Sequence, residues 1–448
     1  MELHNKNIVV VGLGATGIAT SLFLKERGAQ VTVSEMKGEH ESASSIQRLA
    51  SRGIAIEAGG HRKETFLRAD LIVVSPGVSM DIPPLRAAAE SGIEIISEIE
   101  LAFRHITTPL IAVTGTNGKT TTVKLLAKIF ETSGKKAFLG GNVGNPLIEY
   151  VLDQHHEDYI IAEISSFQLE GIQSFKPYIS VLLNLQHDHL DRYSSYEEYI
   201  KAKARIFMNQ GKREYAVLNA DDPDTNTLSP SIAASTLHFS CEREVPCGIS
   251  YRDHRFHYHH GTEHIHFPLD HLYLKGTHNL HNIMAATVVS KLCGCPQQQI
   301  TQAIEKFKGL SHRIEFIKEH NGIKFYSDSK ATNVGAVVRA LEALDPPLIL
   351  IAGGKDKGGD YEPLIPLIKK RVKALILLGE AKEKMHRIFK NSTAIFLVEN
   401  LDEAVTQSLT QASPGDTVLL SPACSSFDMF SGYEERGNIF KSLVNAIP

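Results

Sequence analysis

The stretch Leu110–Thr122, LIAVTGTNGKTTT, decides how the rest of the chain is read. An apolar run ends in a loop of threonine, glycine and asparagine. Lys119 and three threonines follow, and then VKLLAKIF, apolar at helical spacing. That order predicts a strand, a phosphate loop and a helix. Gly115 and Gly118 let the backbone turn so that several N–H groups face one anion, and the helix N-terminus adds the positive end of its dipole. Lys119 would reach the β- and γ-phosphates of a nucleotide, and the Thr120 hydroxyl would ligate Mg²⁺. Gly115, Thr116, Asn117, Gly118, Lys119, Thr120 and Thr121 form the candidate ATP loop. Its spacing departs from the usual nucleotide loop: counted back from Gly118-Lys119-Thr120, the first glycine should fall at Val113 and stands at Gly115.

Upstream, a second glycine loop follows another apolar run. Ile8–Val11 leads into Gly12-Leu13-Gly14-Ala15-Thr16-Gly17, a helical pattern, and a strand over Val31–Ser34 that ends at Glu35. The pattern matches the dinucleotide fingerprint, with its acidic residue about twenty positions on. The fingerprint specifies a tight turn that accepts a diphosphate, and a nucleotide-diphosphate sugar satisfies it as well as a redox cofactor does. Leu71–Val74 is a further strand ending in Ser75-Pro76-Gly77, where Ser75 is either a turn serine or a ligand at the carboxyl edge of a sheet.

Downstream, Gly140–Pro146 is a loop of three glycines and two asparagines, including Asn142, that can approach a ligand. Glu163 closes an apolar strand from Tyr159, and the strand Tyr178–Leu185 runs into His187-Asp188-His189. Glu163, His189 and the Thr120 hydroxyl would share one sheet edge, where a hard cation takes oxygen ligands. The segment Tyr199–Phe207, YIKAKARIF, reads as an amphipathic helix whose lysines and Arg205 form a solvated face. Arg255–Phe267 alternates around Gly261-Thr262 and predicts a β-hairpin with histidines on its wet face. Asn279 and Asn282 stand at the start of a helix, either as caps or facing a nucleotide base.

The last third alternates apolar strands with helical segments, which implies another parallel sheet covered on both faces. Its strand ends carry Asp328–Asn333, Gly353–Asp360 and Ser421–Asp428, and Arg313 lies in a hinge-like run before them. The Gly353–Asp360 loop either receives a carboxylate or is merely solvated. Cys424 has no histidine beside it in sequence and reads as a buried thiol.

At 448 residues the chain is long enough for about three domains of ~150 residues. We expect them at 1–103, 104–309 and 310–448. With 42% hydrophobic residues each can bury a core, and 47 basic against 51 acidic side chains argues against nucleic acid as a partner. Five cysteines without zinc-like spacing fit a reducing compartment. The start lacks a signal-peptide pattern, and no apolar run reaches the ~20 residues of a membrane span. A cytoplasmic protein with no membrane partner is expected.

The stretches TGTNGKTTT, EISSFQLE, HDHLDRY, KAKARIF, GTHNLHN, HRIE and SDSKATN occur together in the order and spacing of the Mur ligases, ATP-dependent amide-forming enzymes of peptidoglycan synthesis. The resemblance spans essentially the whole chain, and GGKDKGGDY with SPACSSFDMF resembles the D-glutamate-adding members. It implies an α/β fold of three domains: a Rossmann-like N-terminal domain, a central P-loop-type mononucleotide-binding parallel sheet and a C-terminal Rossmann-like domain. It implies ATP and Mg²⁺ as cofactors, UDP-N-acetylmuramoyl-L-alanine and D-glutamate as substrates, and a monomer. Lys119, His189 and Lys203 become candidate catalytic residues. Thr120 and Glu163 would hold one Mg²⁺; His189 would serve a second, with Lys203 carbamylated into a carboxylate-like ligand. Asn282, Arg313 and Asp328 would hold ATP, which the family binds between its second and third domains. Thr16, Ser75 and Asn142 would face the uridine nucleotide, and Lys330, Thr332, Lys357 and Ser426 would grip D-glutamate.

Two places depart from the family pattern. Glu35-Met36-Lys37 stands where Asp-Thr-Arg is common, and Lys37 cannot supply an arginine's bidentate fork. Tyr433 replaces an expected phenylalanine. The rival readings are a Mur or folylpolyglutamate-type ligase with another acceptor, a nucleotide-binding switch protein, and an NAD-dependent oxidoreductase built on the first glycine loop.

Overall fold

The computed structural model describes residues 2–38, 43–187, 192–268, 272–274, 276–356 and 358–448. Three sheets carry the chain. The first is parallel throughout, in the spatial order Ala55–Ala58, Gln30–Glu35, Asn7–Val11, Leu71–Val74, Glu94–Ser97. The chain reverses its direction of winding between Asn7–Val11 and Leu71–Val74. The glycine loop after Val11 and Ser75 therefore emerge side by side at the carboxyl edge, where such sheets open a crevice.

The second sheet has nine strands. Its parallel part runs Ala137–Gly141, Tyr159–Glu163, Leu110–Thr114, Ile179–Leu182, Tyr215–Asn219, Ser235–Ser240, Gly248–Arg252. Leu110–Thr114 is buried at every position, which is why it reads as an unbroken apolar run. The predicted histidine hairpin closes the far edge as antiparallel strands Arg255–His260 and Glu263–Pro268. Phe256, Tyr258 and Phe267 point into the core, and His257 faces His266, as His259 faces His264, with ring centroids 4.6 Å apart.

The third sheet runs Glu315–His320, Ile323–Ser327, Thr417–Leu420, Leu348–Gly353, Val372–Leu378, Ala394–Leu397. All its pairings are parallel except the first, an edge hairpin turning through Asn321 and Gly322 at positive φ. That edge strand, EFIKEH, is half exposed and gives no apolar run to read. No helix among the described residues is long and apolar enough to cross a membrane.

The chain divides into two compact units, residues 1–270 with 281–304, and 271–280 with 305–448. The first unit holds the first two sheets, joined by one hydrophobic cluster. Two buried glutamates of the segment Glu98–Phe103 reinforce that join. Glu100 accepts hydrogen bonds from the backbone N–H groups of Gln173, Ser174 and Phe175, from the Ser174 hydroxyl and from Arg104. Glu98 accepts one from Ile148 N–H at 2.6 Å, and burial pushes its carboxyl up to about 7.

Candidate active site

The phosphate loop sits at the switch point of the second sheet, between the ends of Leu110–Thr114 and Ile179–Leu182. Gly115 has φ +148, and a side chain there would press on Leu183. Gly118 has φ +86 and caps the helix Lys119–Thr132. The neighbouring strand end holds the loop in shape. Thr116 N–H donates to Asn184 O, Asn117 N–H donates to Asn184 Oδ1, and Asn184 Nδ2 donates back to Asn117 O. Two of the amides expected to face an anion therefore serve the loop itself. Sequence reading left Asn184 unassigned; its only signal was its place just past a strand end next to the loop.

Lys119 Nζ donates to the carbonyls of Gly115 and Thr116 at 2.8 and 2.9 Å. Lys203 Nζ donates to the same Gly115 carbonyl at 3.0 Å and lies over the Tyr199 ring at 4.8 Å. The helix Tyr196–Ala204 that carries it does not present a lysine face to solvent: Lys201 is exposed, but Lys203 is only 2% exposed. The expected solvated face is corrected at that residue, and Arg205 likewise turns inward to the carbonyls of Leu169 and Ile172. Docking against the loop decides this, not the local pattern. Asn282 is not a cap. It is buried in the helix Thr277–Leu292, accepts a hydrogen bond from the Thr122 hydroxyl at 3.4 Å, and packs against Gly118.

Glu163 ends its strand beside Val113 and Gly141. Asn142 Nδ2 donates to its Oε1 at 2.9 Å, so the Asn142 side chain is engaged on Glu163. Glu163 Oε2 is buried with no hydrogen-bond partner among the described residues. A carboxylate oxygen withheld from water and given no donor suits a hard cation, so this residue fits the Mg²⁺ role. His189 lies outside the described residues.

In the first sheet Ser75 N–H donates to Val11 O, and its side chain packs against Gly12 and Gly17. Thr16 is half-buried in the first turn of the helix Ala15–Glu26. Glu35 is bonded to backbone through both oxygens. Its Oε2 accepts from Leu13 N–H at 2.7 Å and its Oε1 from Lys37 N–H at 3.0 Å, so the acidic residue of the fingerprint braces the glycine loop.

The second unit gathers its own cluster. Asp328, 6% exposed, accepts from Ser421 Oγ at 2.9 Å and from Ile314 N–H, and burial pushes its carboxyl up to about 7. Lys330 Nζ donates to Tyr433 Oη at 2.8 Å and stands 4.2 Å over that ring. The tyrosine that departs from the family pattern thus binds a predicted substrate lysine through its hydroxyl. Arg436, fully buried and missed from sequence, donates to the carbonyls of Ser329, Cys424 and Ser425 and ties these loops together. Thr332 is half-buried, Ser426 is buried, Arg313 lies just before Asp328's partner Ile314, and Lys357 lies outside the described residues. In the Gly353–Asp360 loop, Asp356 accepts from Lys384, Tyr361 and Gly358. Cys424 meets Tyr361 Oη at 3.0 Å, and burial pushes its thiol up, as fits an inert side chain.

Three family profiles match in succession: the Mur ligase MurD-like N-terminal domain over residues 6–97, the Mur ligase middle domain over 113–290, and the Mur ligase glutamate ligase domain over 312–424. A UDP-N-acetylmuramoylalanine–D-glutamate ligase of Geotalea uraniireducens is 52% identical over 448 residues, covering 100% of this chain and 99% of the relative. The chain belongs to the Mur ligase family. Its counterpart of the same name in Citrifermentans bemidjiense is 48% identical, covering 100% of this chain and 99% of its own. Among solved structures, a pseudomurein peptide ligase type C from Methanothermus fervidus superposes with a TM-score of 0.61 at 20% identity, covering 99% of this chain and 100% of that one. A MurF ligase from Thermotoga maritima in complex with ADP gives 0.60 at 17% identity, covering 99% and 98%. These two share the Mur ligase fold with this chain.

Proposed function

We infer that this Mur ligase joins D-glutamate to UDP-N-acetylmuramoyl-L-alanine at the expense of ATP, in the synthesis of peptidoglycan precursors. The observation that carries the reading is identity of 52% along the full chain to a ligase of that name. A carboxylate is a poor electrophile. Transfer of a phosphoryl group to the muramoyl-alanine carboxylate makes an acyl phosphate, which the D-glutamate amine attacks to give amide and phosphate. No protein nucleophile is needed, in keeping with an inert Cys424.

The residues divide the work as follows. Lys119, held over the loop by two carbonyls, exchanges them for phosphate oxygens and offsets charge that develops during transfer. Gly115–Thr121 cradle the phosphates, and Asn282, Arg313 and Asp328 contribute to ATP binding. Thr16, Ser75 and Asn142 serve the uridine nucleotide, and Lys330, Thr332, Lys357 and Ser426 the D-glutamate carboxylates. Thr120 and Glu163 would hold one Mg²⁺ and His189 with carbamylated Lys203 a second, supplying positive charge to the phosphate oxygens; the buried Glu163 oxygen, which has no hydrogen-bond partner among the described residues, supports this. The substrate-binding, ATP-binding and amino-acid-binding domains are assigned to 1–103, 104–309 and 310–448. The chain acts as a cytoplasmic monomer, without nucleic-acid or membrane partners.

Phosphate release from ATP tests the reading. It should require D-glutamate and the muramoyl-alanine nucleotide together, and L-glutamate, L-lysine and diaminopimelate should not replace D-glutamate. Equal turnover with another amino acid would move the chain to a different acceptor.

A further inference from the structure

Outside the residues assigned above, three potential metal ligands of different kinds converge. Asp221 follows the strand Tyr215–Asn219, and Cys241 follows the parallel neighbour Ser235–Ser240. Asn219 and Phe239 are in register, so the two loops leave the sheet side by side. His281 reaches them from the helix Thr277–Leu292. A ring nitrogen of His281, the Cys241 sulfur and an Asp221 oxygen all lie within 4.8 Å of one another, and all three residues are half-buried.

The cluster is already held in position. Asp221 accepts from Ser240 Oγ at 2.5 Å and from Cys241 N–H at 2.6 Å, and His281 Nε2 stands 2.8 Å from Asp221 Oδ2. A carboxylate has about four lone-pair sites, so these bonds leave room for a metal. We propose that Asp221, Cys241 and His281 form a zinc-class divalent-cation site, distinct from the Mg²⁺ ligands of the phosphate loop. Thiolate, imidazole and carboxylate together are a zinc set, and a hard cation such as Mg²⁺ does not favour sulfur. A water molecule would complete the tetrahedral set as fourth ligand. On ligation the thiol proton passes to solvent, and the proton between His281 and Asp221 leaves Nε2, moving to Nδ1 of a neutral ring or to solvent from an imidazolium, as the metal takes its place.

The cluster adjoins the wall of the phosphate loop in sequence. Asp222 accepts from Leu185 N–H at 3.0 Å, and Asn282 packs on Gly118. Metal binding should therefore stiffen this edge of the sheet.

Titration of the metal-free full chain with Co²⁺ tests the site. A thiolate-to-cobalt charge-transfer band should grow to one equivalent and be displaced by Zn²⁺ but not by Mg²⁺. Zn²⁺ should raise the melting temperature. C241S should lose the band, and H281Q should weaken Co²⁺ binding by about tenfold or more. The paired histidines of the far hairpin cannot give a sulfur band, so the spectrum separates the two locations. H281Q carries the test by itself if C241S does not fold. Absence of the band, or a band unchanged in C241S or H281Q, overturns the proposal.

Discussion

Replacing Gly118 by alanine should damage both stability and turnover, through two separate physical effects. Gly118 caps the phosphate-loop helix at φ +86 and ψ −15, and a left-handed alanine costs about 1–2 kcal/mol. An added Cβ would also stand 3.0 Å from Asn282 Cγ and 3.2 Å from its Nδ2, with Oδ1 closer still. Asn282 is 3% exposed, so either it or the loop must shift. Loss of its hydrogen bond with Thr122 adds about 1 kcal/mol, for a total near 2–3 kcal/mol. A displacement of about 1 Å in a phosphate-positioning loop costs on the order of 100-fold in rate. Urea denaturation measures the first effect, and kcat/KM for ATP-dependent phosphate release the second. In G118A/N282A the steric conflict is gone. The two substitutions should then be non-additive in stability, with the double variant losing less than the sum of the singles. A G118A protein within about 0.5 kcal/mol of the parent, turning over within about twofold, would refute the reasoning.

Three further outcomes follow from single contacts. Asn184→Ala removes both side-chain bonds to the Asn117 backbone, and should lower stability by about 1–3 kcal/mol and kcat/KM for ATP by about tenfold, read by the same two assays. Glu98 has its carboxyl pushed from 4.5 to about 7 by burial, so the folded chain holds that proton more tightly than the unfolded chain. The stability it contributes is present below 4.5, is lost as pH climbs toward about 7, and amounts to up to about 3 kcal/mol. Glu98→Gln should therefore be more stable than the parent at pH ~8 and near-equal at pH ~4.5, by urea titration at each pH; a constant difference would contradict the burial argument. Tyr433→Phe removes the hydroxyl that accepts from Lys330 Nζ but keeps the ring beneath it, so stability should fall by only about 1–2 kcal/mol. The KM for D-glutamate should stay within about threefold, and a loss of about 100-fold would assign the hydroxyl to the substrate.

The sequence by itself determined the features whose physics is local. Gly115, Gly118, Lys119 and Thr120 are legible because a backbone turn, a cation and a hydroxyl at a strand-to-helix switch fall within a few residues of one another. The buried strands Leu110–Thr114 and Leu348–Gly353 are legible because parallel strands covered on both faces are buried at every position and read as near-continuous apolar runs. Tertiary structure decided what depends on partners far away in the chain. Lys203 looks like a solvated lysine in YIKAKARIF until its helix docks on Gly115, 88 residues earlier. Glu35 reads as the acidic residue of the fingerprint, but the fold aims one of its oxygens at Leu13 N–H of the glycine loop and the other at Lys37 N–H. Asn184 and Arg436 carry no motif, and only the packing of loops at a sheet edge gives them their partners. The edge strand Glu315–His320 escapes pattern reading because its half-exposed face lacks the burial that writes alternation into a sequence. Local turn chemistry is encoded residue by residue, whereas burial and hydrogen-bond partnership belong to the assembled sheets.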